Sequence, residues 1–295
     1  MQINNIIIAG VHKAGTTSLY TYLSLHPEIC ASAIKETHFF SDESFPKRYD
    51  SYEAYFKSKN KKHKFCLEAS PEYLFGTTKT INQIKKVTDT PKIIFIFRKP
   101  SDKILSSFNH RKKRVLFPSD YTFENFVSDH LNVKTLDEIN EEDLYSKEFY
   151  ESSYIDFLPE WYESFDKENI MILFFDDLKN NTKETVQKIL KWVNLEDSEF
   201  ENKTFNVENK SVEFKNRSIQ KIIVKLLQVA EPFFRRNYRI KNFLRSIYYS
   251  INVKKSNNMI NSATLKKING LYENKNNSLK EYLKQKGYTK FPQWL

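Results

Sequence analysis

Short apolar runs alternate with amphipathic stretches along the chain as far as Leu195. Ile3–Ala9 is apolar and β-branched without a break, the pattern of a strand buried on both faces. Lys64–Glu68, Lys92–Phe97 and Ile170–Phe175 predict three further strands. Helical periodicity runs over Ser18–His26, Lys79–Val87, Ser101–Arg111, Phe123–Leu131, Lys147–Phe165 and Lys183–Val193. Pro27 stops the first of these, and Pro159 is expected to kink or divide Lys147–Phe165. Such alternation predicts an α/β fold of three layers, α/β/α, around a central parallel sheet. Past Leu195 no strand is evident. Ser218–Val229, Pro232–Tyr249 and Ala263–Lys286 read as helices, and the aromatic tail Tyr288–Leu295 is expected to dock back. There is no internal repeat or low-complexity linker, so one domain over 1–295 is expected.

Composition narrows the class. A 40% hydrophobic and 15% aromatic content, with 24 Phe and 17 Tyr, is enough apolar material for a core. The longest apolar runs fall far short of the ~20 residues of a membrane span. The N-terminus has no basic region or cleavage site of a leader. Two cysteines, Cys30 and Cys66, make no disulfide framework and fit a reducing compartment, so a cytoplasmic protein is expected. Lys plus Arg exceeds Asp plus Glu, 47 against 37, a net charge of +10 that favours anionic partners. The excess is concentrated. Arg235, Arg236, Arg239, Lys241, Arg245, Lys254 and Lys255 lie between Pro232 and Lys255 with no acidic residue among them. An apolar stripe at 240, 243, 244, 247 and 248 accompanies them, as on an amphipathic helix. That segment either packs on the body with a solvated basic face or meets an anionic acceptor or membrane.

The candidate chemistry begins where the first strand ends. Gly10-Val11-His12-Lys13-Ala14-Gly15-Thr16-Thr17 has the glycine spacing of a nucleotide P-loop, but Thr16 stands where such a loop has its Lys. The cation is Lys13, inside the turn. A strand–turn–helix still aims backbone N–H groups and the positive helix end at an anion. Thr16, Thr17 and Ser18 add hydroxyl donors. Met171–Asp177 imitates the strand that places a Mg²⁺-binding Asp in P-loop kinases and NTPases, which keeps that reading as an alternative.

Gly10–Leu19 resembles the 5′-phosphosulfate loop of sulfotransferases that use 3′-phosphoadenosine 5′-phosphosulfate (PAPS). Ile93–Pro100, with Arg98, and Ser106 eight residues later, resembles their 3′-phosphate site. An Arg fork suits a phosphate. Further matches point to the carbohydrate branch, above all the heparan sulfate enzymes. They are Ser24–Pro27, Lys35-Glu36-Thr37-His38-Phe39-Phe40, Glu68-Ala69-Ser70-Pro71-Glu72-Tyr73, Ile172–Leu178, and Asn209-Lys210-Ser211 with Arg217. The final helix and Trp294 also fit. Thr17 and Ala69 stand where the heparan enzymes carry Arg and Lys, and about 228–262 looks like a basic helical insertion into the family core.

The resemblance implies a P-loop-like α/β fold and sulfuryl transfer from PAPS to a hydroxyl or amino group of a glycan, free or lipid-linked. It implies no metal and no nucleic-acid partner. Lys13, Ala14, Gly15, Thr16, Thr17, Ser18, Arg98, Ser106 and Arg217 would hold the nucleotide, and Lys13 would neutralise the leaving phosphate oxygen. Glu36 would be the general base. His38 would orient Glu36, touch the acceptor, or serve only the fold. Glu68 is the competing carboxylate. A non-catalytic polyanion or membrane binder is the reading from another class, and it leaves Lys13 and Glu36 without a purpose.

Overall fold

The computed structural model describes residues 4–42, 49–131, 145–197, 213–230, 244, 248, 252–254 and 261–295. The chain divides into two compact units. One comprises Met1–Lys99, Ser153–Glu208 and Glu273–Leu295, the other Pro100–Ser152 and Asn209–Tyr272.

The first unit is built on five parallel strands, β1 (Asn4–Gly10), β2 (Ile29–Ala31), β3 (Phe65–Ala69), β4 (Lys92–Phe97) and β5 (Ile170–Phe174), in the order β2-β3-β1-β4-β5. Consecutive residues of β1, β3, β4 and β5 are buried, so the sheet is covered on both faces. That is the physical reason these strands read as unbroken apolar runs. Helix α1 (Thr16–Leu23) follows β1, α2 (Thr77–Val87) precedes β4, and α6 (Leu158–Ser164), α7 (Phe175–Asn180) and α8 (Thr182–Trp192) flank β5. α1 packs on β3 and α8, and α2 packs on α6.

The chain runs from β1 to β2 and β3 on one side and then crosses to β4 and β5 on the other. The carboxyl ends of β1 and β4 therefore flank the point where the winding reverses, the place such sheets offer a ligand. Residue pairing there is irregular. The β1–β4 register shifts between Ile8 and Gly10, and Val11 N donates to Ile96 O at 3.1 Å.

The second unit has an aromatic core. Ile104 and Phe108 come from α3 (Pro100–Lys113), and Phe123, Phe126 and Val127 from α4 (Phe123–His130). They pack with Phe117, with Phe149 of α5 (Lys147–Tyr150), and with Ile268 and Tyr272 of α10 (Ser262–Gln285). Beside it Lys103 is fully buried, its Nζ 3.1 Å from Ser152 Oγ and 3.5 Å from Glu148 Oε2. Ser107 Oγ and Arg111 Nη2 donate to the other Glu148 oxygen at 2.7 and 2.8 Å. A buried lysine is tolerated because the Glu148 carboxylate and carbonyl and the Ser152 hydroxyl compensate it.

Three expectations are corrected. Lys147–Phe165 is divided, as expected, but ahead of Pro159 and not by it, into α5, a single turn at Tyr154–Asp156, and α6. Ser153 Oγ bonds Asp156 Oδ2 at 2.5 Å within that turn, and Pro159 sits in the first turn of α6, where its missing N–H costs nothing. Past Leu195 there is a two-residue antiparallel pair, β6 (Glu213–Phe214) and β7 (Val253–Lys254), which precedes and follows α9 (Arg217–Val229). Ile170–Phe175 ends as a strand at Phe174, because Phe175 opens α7. Most of the basic segment 232–255, and Asn209-Lys210-Ser211, lie outside the described residues.

Candidate active site

The turn after β1 is held in a shape few side chains favour. Lys13 has φ 63° and Gly15 φ 92°, both left-handed, a conformation that costs a non-glycine residue roughly 1–3 kcal/mol. Gly15 is required twice over. A Cβ there would lie 3.0 Å from Leu178 Cδ2 and 3.1 Å from Phe175 Cδ2, both on α7. Ala14 is buried, and its N–H donates to Val11 O at 3.3 Å, closing the turn. Helix α1 then starts at Thr16 with no side chain capping it. Its first-turn N–H groups point out of the helix end, with the Thr16, Thr17 and Ser18 hydroxyls on the same turn. Thr16 is buried, and Thr17 and Ser18 are half-buried.

Arg98, one residue past β4, joins this turn. Its Nη1 donates to Lys13 O at 2.9 Å, and its guanidinium lies 4.5 Å above the Phe175 ring. The backbone beneath it is pinned by Tyr154, whose hydroxyl donates to Arg98 O at 2.7 Å while its ring stacks on Phe97 at 4.4 Å. So the two motifs read from sequence meet at the carboxyl ends of neighbouring strands. The donor set is that of an anion site: peptide N–H groups, hydroxyls, an ammonium and a guanidinium. Ser106 and Arg217 belong to the second unit. Ser106 is half-buried on α3, and Arg217 opens α9 with its Nη2 donating to Phe117 O. Asp176 sits in the first turn of α7, not at a strand end, and accepts from Trp294 Nε1 at 3.2 Å.

A second group of polar side chains follows β2. One turn beyond the anion loop, Tyr20 Oη donates to Ser32 O at 2.6 Å, and Ser32 Oγ donates to Ile34 O at 2.9 Å. This fixes the approach to Lys35–Phe40. Glu36 is half-buried, with Lys35 Nζ 3.0 Å from Oε1 and His38 Nε2 3.7 Å from Oε2. His38 is more than half exposed, and its Nδ1 lies 2.6 Å from Glu72 Oε1. That hydrogen bond, working against partial burial, raises the His38 pKa above its ordinary value. Burial pushes the Glu72 carboxyl up, but the His38 contact and the Ser41 hydroxyl, 2.8 Å away, leave it below the usual carboxylate range.

Glu68, the other carboxylate singled out, is of a different kind. It is fully buried on β3, and its Oε2 accepts from the Thr37 hydroxyl and from Tyr73 Oη at 3.3 Å. Burial lifts its pKa to about 7, outweighing those donors. Thr37 and Tyr73 also hold the loop directly: Phe39 N donates to Thr37 Oγ1 at 3.3 Å and Phe40 N to Tyr73 Oη at 3.1 Å. Glu68 thus supports the segment that carries Glu36 and His38. Sequence reasoning did not assign a role to Glu72, Tyr154 or Phe175. A carboxylate directly after Ser70-Pro71 was the available signal for the first.

Residues 4–239 match the family model described as "Sulfotransferase domain". A mouse heparan sulfate glucosamine 3-O-sulfotransferase 5 is 29% identical over 207 residues, covering 66% of this chain and 54% of that protein. A zebrafish (Danio rerio) sulfotransferase 6B1 is 29% identical over 108 residues, covering 37% of this chain and 32% of that protein. The chain thus spans about half or less of these relatives. A crystal structure of a sulfotransferase from Alicyclobacillus acidocaldarius superposes with TM-score 0.56 at 19% identity, covering 82% of this chain and 97% of that one. That likeness is one of fold.

Proposed function

This chain belongs to the sulfotransferase family, and from that premise we propose that it transfers a sulfuryl group from PAPS to a hydroxyl or amino group of a glycan. The observation that carries the reading is the hydrogen bond from Arg98 to the Lys13 carbonyl, which joins two anion-binding motifs at the winding reversal. PAPS has two phosphate groups to hold, and a P-loop ATPase would leave Arg98 without a role. The donor set fits such a ligand, with Lys13 and the first turn of α1 for the 5′ end and Arg98 for the 3′-phosphate. Sequence resemblance adds Ser106 and Arg217 to the nucleotide ligands.

When bound, PAPS supplies the sulfuryl group and a phosphate that departs with the former S–O bonding pair. Lys13 offsets the charge that grows on that phosphate oxygen. Glu36 takes the proton as the acceptor oxygen bonds to sulfur. Glu68, enclosed and without exposure, supports Glu36 instead of competing with it. The glycan class rests on the heparan-type relative, which covers two thirds of this chain. A lipid-linked glycan would bring the enzyme to an anionic membrane, for which the basic sequence 232–255 is suited. A cytoplasmic location accords with Cys30 and Cys66, register partners on β2 and β3 that are both free thiols.

The test is transfer of labelled sulfate from PAPS to a panel of desulfated and partly sulfated oligosaccharides. Label on a glycan, lost in Lys13→Ala, supports the reading. Label on no glycan, with label on a phenol or other small hydroxyl compound, would replace the glycan class.

A further inference from the structure

Glu72 departs from what its surroundings require of a structural residue. It stands in a short turn, three-quarters shielded, with the same oxygen accepting from two partners: His38 Nδ1 at 2.6 Å and Ser41 Oγ at 2.8 Å. Its other oxygen, Oε2, is buried without a hydrogen-bond partner. A carboxylate in this setting gives up hydration, and burial alone would favour an apolar or amide side chain. What it obtains is control of one imidazole. His38 itself is held at φ 53°, with its N–H on Ser70 Oγ at 3.1 Å and its carbonyl accepting from Ser41 N at 3.2 Å. A left-handed backbone at a non-glycine residue persists only where the surroundings determine it. Backbone, ring nitrogen and the Ser41 bridge all fix where the ring points, and its free edge, Nε2, faces Glu36 Oε2 at 3.7 Å.

We propose that Glu72 is a positioning residue for the Glu36 base, fixing the His38 ring so that Nε2 is presented to the Glu36 carboxylate. The role rests on the reading of Glu36 as the base. A neutral imidazole with Nδ1–H on Glu72 turns a lone pair at Nε2 toward Glu36, which repels it; an imidazolium turns an N–H toward it. The charges around His38 favour the second form. Glu72, Glu36 and Glu68 all favour the imidazolium, and Lys35 pairs with Glu36. The Glu72 bond is the largest of these influences and outweighs the burial of the ring. His38 therefore keeps its proton further up the pH scale than an ordinary histidine, and in that form it aligns the Glu36 carboxylate. On loss of the His38 proton, Glu36 loses its aligning donor, so activity should fall on the alkaline side.

The experiment uses the full chain. Imidazole C2–H resonances are followed by NMR against pH without donor or acceptor, with His38→Asn identifying the signal among the six histidines. Glu72→Gln should lower the His38 midpoint, and Glu72→Asp should restore most of it. The pH profile of kcat for sulfate transfer should lose its alkaline limb earlier in Glu72→Gln, with the KM for PAPS and the stabilisation by its desulfated product PAP unchanged. An unchanged His38 midpoint in Glu72→Gln overturns the pairing. A lowered midpoint with an unmoved kcat profile overturns the positioning role. Failure of the wild type to transfer sulfate at all, with the midpoint shift intact, instead overturns the sulfotransferase reading on which the role depends. Ser41→Ala, which leaves the His38–Glu72 pair in place, should move the midpoint less than Glu72→Gln; an equal or larger shift assigns the effect to loop structure and overturns the proposal.

Discussion

Glu36 and Glu68 are glutamates of one neighbourhood with opposite surroundings, and their variants should differ in kind. Glu36→Gln should leave PAP binding intact while cutting turnover ~10²–10⁴-fold, the usual share of a general base. Glu68→Gln should be felt in stability. A carboxyl whose folded pKa is raised to about 7 binds a proton more tightly folded than unfolded. Its contribution is therefore complete below the unfolded value of 4.5 and is lost as pH rises through 7, by roughly 3 kcal/mol at most. Melting temperature should accordingly fall from pH 5 to pH 8 in the wild type and fall less in Glu68→Gln. His38 titrates in the same direction in both proteins, and Glu68 is the smallest of the influences on it, so most of the difference between them belongs to Glu68. Equal slopes would mean that Glu68 is not buried as a protonated acid. Both motifs and the ranking of Glu36 ahead of Glu68 came from family resemblance. Residue type alone did not show why they differ, because the difference lies in burial.

At the scale of elements, the strands were legible because each is buried on two faces and so carries no alternation to confuse with a helix. β2 was not, since three residues at a sheet edge give no period. The break after α5 depends on Ser152 and Ser153, whose hydroxyls bond back to Glu148 O and forward to Asp156, and polar residues of this size do not interrupt a helical pattern. Helix α9 presents an unusual face. Ile222, Leu226 and Val229 are 60%, 62% and 84% exposed, while polar Gln220 is buried and donates to Lys113 O at 2.7 Å. Lys221 and Lys225 lie on the flank, and no acidic residue occurs from Lys215 to Ala230. Such a helix suits an anionic surface. Vesicles of phosphatidylcholine with phosphatidylglycerol should retain the wild type in flotation, and less of it at high salt. Ile222→Ser with Leu226→Ser should reduce retention without changing PAP affinity. Equal retention of both proteins would clear α9 of this role, and no retention of the wild type would remove the membrane from the account.

For the whole molecule, sequence order carried the α/β class, because strands alternating with helices pair most readily in parallel through crossovers. It did not carry the strand order, and the strand order is what brings Arg98 to Lys13 across 85 residues of sequence. The central claim is that this junction recognises a nucleotide with a 3′-phosphate. Isothermal titration of PAP and 5′-AMP against the wild type and Arg98→Ala measures it without needing an acceptor. PAP should bind the wild type more tightly than 5′-AMP, and Arg98→Ala should remove most of that difference, a loss of roughly 1.5–3 kcal/mol for a hydrogen bond to a charged group. Equal affinity of the wild type for the two nucleotides, or a preference for ATP with Mg²⁺ over both, would contradict the account.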